Sequence, residues 1–306
     1  MRPAWSVLLL TTLIGAGQGL YLALAALDVF GEAQRRLLVA GAALSIALLV
    51  GGLGASFLHL GRPERAWRSA AKWRTSWLSR EVIVLPAFTA VVLAWGIAHH
   101  FGLSRDAVVG LDVAGALLAV ALFICTGMIY ACLAFLQEWH TPLTPINYAA
   151  LGCASGLTAA AALTAWLQPA LARPYAATAL LVGSLAYVLR LAALARNARL
   201  RPKSTLATAI GVKHPRIVQI AQGAMGGSFN TREFFHGRPR EVVLAMRWTF
   251  LALVFPVPGL LLALWPGSAP VLTLTVLIQF AGLLAERWYF FAEANHPQNL
   301  YYQAIS

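Results

Sequence analysis

Charge is what this 306-residue sequence has least of. Only 11% of its residues are Asp, Glu, Lys or Arg, while 59% are hydrophobic. Soluble globular domains carry about 25% charged residues. A chain with so few cannot cover a water-facing surface, so much of its surface must face lipid. Acidic residues are the scarcer sign, 11 against 23 Lys and Arg, which leaves a formal charge of +12. In a bilayer protein such an excess first sets orientation, and no nucleic-acid partner is expected. Cysteine is almost absent: Cys125, Cys132 and Cys153 lie in apolar stretches without a Cys-x-x-Cys pair. That excludes an iron–sulfur cluster or a disulfide framework within this chain and leaves three small buried hydrophobes. The seven histidines (His59, His99, His100, His140, His214, His236 and His296) all fall at helix ends or in loops. A membrane b-haem needs two His facing each other inside a bundle, so no haem is expected. His59 and His140, at one boundary, are the nearest approach to such a pair.

Long apolar runs are what the sequence has in abundance. A spanning helix needs about 20 mostly apolar residues, and such runs occur at about 5–30, 37–59, 81–100, 107–137, 148–168, 174–195, 243–265 and 269–292. The first far exceeds the ~7–15 residue core of a signal peptide, so it reads as a retained membrane helix. The prediction is an all-α, polytopic membrane bundle of about eight helices, forming one integral membrane domain over residues 1–306. Short breakers such as Gln168-Pro169 and Pro266-Gly267 punctuate it. An even number of spans puts both termini on one side.

The basic residues give that side a name. Arg35, Arg36, Arg105 and Arg173 fall on one set of connections, and the other 19 of the 23 fall on the opposite set. By the positive-inside rule the rich side is cytoplasmic. Both termini, the 60–80 loop and the long 196–242 loop are therefore expected there, in a bacterial inner membrane. The 196–242 loop holds Gly226-Gly227-Ser228-Phe229-Asn230 and then Arg232, Phe234, Phe235 and His236. Its phenylalanines suit either a loop folded back on the helix ends or a docking surface for a cytoplasmic partner.

Ionisable groups at membrane depth are costly and mark functional positions. His59 closes the second run in Leu58-His59-Leu60-Gly61-Arg62-Pro63, and Glu81 opens the third after Ser79-Arg80. Both belong to the same boundary. An imidazole and a carboxyl group at the rim of an apolar bundle suit a quinone head group: one hydrogen-bonds a carbonyl, the other relays a proton. The structural alternative is a helix-end His and a Glu favoured at a helix N-terminus. Arg62, Trp77 and His140 are possible pocket neighbours, although Trp67, Trp73, Trp77 and Trp139 also suit an interfacial belt. Arg190 and the Glu286-Arg287 pair read as snorkelling or locally paired groups. Asp112 and Gln18 read as isolated packing positions. A solute transporter would instead show inverted repeats and midplane charges; no repeat is visible, and the polar residues gather at one face.

These strings carry a resemblance. Leu58-His59-Leu60-Gly61 followed, across a basic loop, by Leu78-Ser79-Arg80-Glu81 resembles the membrane anchor subunit of the DMSO reductase family of molybdoenzymes, and the likeness extends over the eight-helix layout. The resemblance implies that His59 and Glu81 belong to a quinone site (ubiquinone or menaquinone). It also implies two partners, a four-cluster ferredoxin-like iron–sulfur subunit and a molybdopterin catalytic subunit, which hold the redox metals. Arg65, Arg68, Arg232, Phe234, Phe235 and His236 are then the expected docking residues. In the DMSO reductase branch the partners face away from the cytoplasm and menaquinol is oxidised. The basic face here looks more like the cytoplasm-facing branch of sulfite:quinone oxidoreductases, as do Lys213-His214-Pro215-Arg216 and Asn295-His296-Pro297-Gln298-Asn299-Leu300-Tyr301-Tyr302.

Overall fold

The computed structural model describes residues 1–31, 33–58, 60–214, 216–222, 224 and 226–303. Eight helices in it are long and apolar enough to cross a bilayer: α1 (Trp5–Val29), α2 (Arg35–Phe57), α3 (Trp77–Phe101), α4 (Arg105–Ala131), α5 (Leu143–Leu167), α6 (Ala172–Ala198), α7 (Arg240–Leu264) and α8 (Ala269–Glu293). No strand occurs among the described residues. At ~1.5 Å per residue each helix is roughly as long as a bilayer is thick. Successive helices alternate in direction, so the two termini meet at one end. There the Met1 amino group donates to the Ala294 carbonyl at 2.9 Å, and the Arg2 N–H donates to the Glu233 carbonyl at 2.6 Å.

The centre of the bundle is made by α1 and α5, the two most buried spans. They touch through Gly15 and Gly19 of one and Gly152 and Gly156 of the other. Each pair has GxxxG spacing, which lets two backbones approach closely enough for dispersion to hold them without a hydrophobic driving force. A Cβ on Gly156 would overlap the backbone of Gly19 and Leu20, whereas one on Gly183 of α6 would meet open space. Gly156→Ala should therefore cost roughly 1–3 kcal/mol, the usual penalty for overpacking, and Gly183→Ala next to nothing. Thermal midpoints of the detergent-solubilised protein check this contrast. The outward faces of the peripheral helices carry exposed Leu117, Val120, Leu181, Val188 and Leu277, an apolar coat suited to lipid.

Three elements depart from the sequence expectation. The apolar run 107–137 does not continue as one helix: α4 stops at Ala131, and residues 132–142 turn inward before α5 begins at Leu143. Leu136 and Trp139 are 0% and 2% exposed and pack with Leu8, Tyr148, Phe290 and Phe291. Their hydrophobicity serves an inner cap, which hydropathy cannot tell from a span. Second, α7 is broken into Arg240–Val254 and Pro256–Leu264. Pro258 lacks the N–H that would serve the Val254 carbonyl, and Gln279 Nε2 of α8 donates to that oxygen at 3.3 Å. A cavity of ≈ 310 Å³ opens between α6 and α7 at this break. Third, Cys132 is exposed, while Cys125 is buried and Cys153 lies between.

Candidate functional site

The 60–80 connection forms a rim over α2 and α3. Pro63–Lys72 coils as a 3₁₀ segment, started by Pro63, with no buried residue. Ser76 then caps α3, its hydroxyl accepting from the Ser79 N–H at 3.3 Å. This places Glu81 one turn inside α3, 6% exposed, where its carboxylate accepts a short hydrogen bond from the Thr126 hydroxyl of α4. Pro86 leaves the Val82 carbonyl without its intrahelical donor, a second polar atom at the same depth. Around this end Phe57, Leu58 and Leu78 are exposed apolar side chains on the adjacent helices α2 and α3. A buried, protonatable carboxyl reached past apolar side chains fits a quinone head group whose tail stays in lipid.

His59 lies outside the described residues. Trp77 lies under Arg80, whose guanidinium carbon is 4.2 Å from the ring centroid. Arg80 also donates to the Trp73 and Arg74 carbonyls at 2.9 and 2.8 Å, which pins the rim to the start of α3. Arg62, Arg65 and Arg68 are exposed on the rim, with Arg65 near Glu64 at 3.8 Å and Arg68 beside Trp67. His140 is exposed, and its Nδ1 lies 2.6 Å from the Ala131 carbonyl at the end of α4. It serves the helix end rather than Glu81 in this arrangement.

The 196–242 segment divides its residues between two jobs. Phe234 is 9% exposed, in the inner cap against the His296 ring at 4.8 Å, and its carbonyl accepts from Asn299. Arg232, Phe229 and Phe235 face outward. His236 lies 6.1 Å from the Trp288 ring, and burial, followed by the Met1 amino group and Arg238, lowers its pKa. The loop is thus folded back through Phe234 and still presents a basic, aromatic outer face.

Two buried polar residues, Arg190 and Asp112, depart from the sequence expectation, while Glu286 and Arg287 are locally paired as expected. Arg190 does not snorkel: it is 3% exposed, and its Nε sits 2.8 Å from Glu286 Oε1. Arg287 Nη1 lies 3.2 Å from Glu286 Oε2, and its guanidinium stacks 3.7 Å over Tyr148. A carboxylate between two cations explains how such groups persist at membrane depth. At the opposite end of the bundle Asp112 is far from isolated. It accepts from Trp95 Nε1 at 2.7 Å, beside an Asp28 that pairs with His99 at 3.1 Å and Arg105 at 3.3 Å. Arg190 and Glu286 lie on different helices, as do Asp28, His99 and Asp112, so no local motif marked either cluster.

Comparison with known proteins matches this architecture. A family model described as "DMSO reductase anchor subunit (DmsC)" covers residues 1–302. The chain is also 52% identical over 325 residues to the C subunit of the sulfite dehydrogenase of Allochromatium vinosum, an overlap spanning 100% of both chains. An eight-span bundle, its basic rim and a match of this extent lead to one assignment: the chain belongs to the DMSO reductase anchor subunit (DmsC) family, as an integral membrane anchor of such a complex.

Proposed function

We propose that this anchor passes electrons from an iron–sulfur partner to quinone at Glu81, completing the oxidation of sulfite to sulfate by a molybdopterin catalytic subunit. The observation that carries the reading is a nearly fully buried carboxyl one turn inside α3, next to the basic 60–80 rim. In this reading the quinone is the substrate, held by Glu81 with His59 as the second head-group contact, and Trp77 and Arg80 fix the rim above it. The direction toward sulfite chemistry is supported by the full-length similarity to a protein named for that activity. The partners dock on the exposed Arg62, Arg65, Arg68, Arg232 and Phe235, where opposite potentials speed and orient association. The bundle is a single membrane domain, with 196–242 as its docking loop.

Sidedness separates this reading from that of an outward-facing, menaquinol-oxidising complex. With both termini and the basic rim in the cytoplasm of a bacterial inner membrane, single cysteines at Arg68→Cys and Lys203→Cys should react with an impermeant maleimide only in inverted vesicles. Labelling in intact spheroplasts would reverse the orientation and remove the case for cytoplasmic sulfite oxidation. Solute transport finds no support in membership of an anchor family.

A further inference from the structure

Small cavities interrupt the packing between Glu81 and the far side of the rim. Thr126, the partner of the Glu81 carboxylate, also lines a small cavity of ≈ 10 Å³ among α1, α4, α5 and α8. Thr12 Oγ1 and Gln18 Oε1 border this cavity, buried and without a hydrogen-bond partner among the described residues, and the Tyr148 ring lines it as well. Tyr148 and Arg287 also line a second cavity of ≈ 10 Å³, bordered by Asn147, Glu286 and Glu138. There Asn147 Oδ1 and Glu138 Oε2 are likewise buried and unpartnered among the described residues. Each space is about the size that admits one water, and each offers several polar atoms to hold it. Glu138 in turn borders an open cavity of ≈ 570 Å³ with Asn197, Lys203 and His296 at the inner surface. The three spaces are joined through shared walls: Tyr148 and Arg287 between the first two, Glu138 between the second and the third.

We infer that Thr126, Tyr148 and Glu138 form a hydrated proton line running from the inner surface to Glu81, with Arg287 positioning it. This rests on the reading of Glu81 as the proton donor to quinone. Each quinone reduced takes two electrons from the iron–sulfur partner and two protons, and leaves as quinol. The line carries protons only. One passes from the Glu81 carboxyl to a quinone oxygen, and one entering at Glu138 restores that carboxyl through the two waters and the Tyr148 and Thr126 hydroxyls. The second proton follows the same way. Glu286 lies between Arg287 at 3.2 Å and Arg190 at 2.8 Å, which offsets part of the positive charge beside the second cavity. Burial raises the pKa of the Glu138 carboxyl from its ordinary value, a direction that suits a group taking up a proton. The Glu138 opening lies between the ends of α4 and α6, lined in part by Leu200, Pro202 and Lys203 of the 196–242 loop and by no residue of the 60–80 rim.

The test uses the assembled complex, pre-reduced and then mixed with decylubiquinone in a stopped flow. Glu138→Gln and Tyr148→Phe should each slow reoxidation at least about tenfold, within the range that proton-transfer groups contribute. The dependence on decylubiquinone concentration and the reaction with ferricyanide should stay at wild-type values. Acetate should speed Glu138→Gln back toward wild type, a rescue that a merely structural role would not show. Wild-type reoxidation in both variants beside an inactive Glu81→Gln would overturn the line, and so would a slow Glu138→Gln that acetate leaves unchanged. Wild-type reoxidation in Glu81→Gln would instead remove the quinone-site reading on which the line depends.

Discussion

Glu81→Gln should lower electron transfer to quinone by about 10²-fold or more, the scale on which a positioned acid–base group contributes. Oxidation of substrate with an artificial acceptor should survive, because the proposed complex carries its redox metals in the partner subunits. The amide is nearly isosteric, and it keeps an oxygen able to accept from the Thr126 hydroxyl at the same place. The buried position is therefore kept, and only the exchangeable carboxyl proton is lost. Combining it with His59→Ala should remove what remains. Assays of membranes with decylubiquinone and with ferricyanide separate the two outcomes. Loss of both activities would point to failed assembly, and retention of both would reject Glu81 as the quinone-linked group.

The second large effect concerns stability. Glu286→Gln should cost about 3–5 kcal/mol, the penalty for leaving a buried charge without its partner. Arg190, 2.8 Å from one carboxylate oxygen, and Arg287, 3.2 Å from the other, would then share a neutral amide. Neither side chain can withdraw to water without unpacking Phe250 and Tyr289 around Arg190 or Tyr148 beneath Arg287. The expected result is a much lower thermal midpoint in detergent and reduced abundance in membranes. The triple change Arg190→Met, Glu286→Leu and Arg287→Met should recover most of that loss, because apolar replacements of similar volume often match a buried ion group. Equal midpoints for wild type and Glu286→Gln would show that the triad carries little of the fold.

Much of this architecture was legible in the chain. Eight runs of about the right length gave the helices, because lipid demands satisfied backbone and apolar side chains over a fixed thickness. The uneven basic residues marked one face, and Glu81 stood out because a carboxyl at membrane depth needs a reason. What stayed hidden depended on three-dimensional packing. The stretch around Leu136 and Trp139 reads as membrane helix, yet it folds into the inner cap. Arg190 looked free to snorkel because its partner Glu286 arrives from a different helix. Asp112 looked isolated because Trp95 and Asp28 come from α3 and α1. Two signals were present and carried more than was drawn from them. The Gly15/Gly19 and Gly152/Gly156 spacings announce a close crossing, and Pro256 with Pro258 announces the break in α7. Phe234, grouped with its outward neighbours by sequence, is drawn into the inner cap by Asn299 and the His296 ring.

A quinone site at Glu81 has a rival within the bundle, the ≈ 310 Å³ cavity at the α6–α7 break. That cavity is lined by Gly183, Tyr187, Phe255 and Pro256, with Gln279 as its polar side chain from α8. Photolabelling the purified complex with an azido-quinone, followed by peptide mapping, discriminates between them directly. Adducts are expected on residues 57–62 and 77–85, suppressed by excess decylubiquinone. Competable adducts confined to residues 183–187 and 255–260 would contradict a quinone site at Glu81.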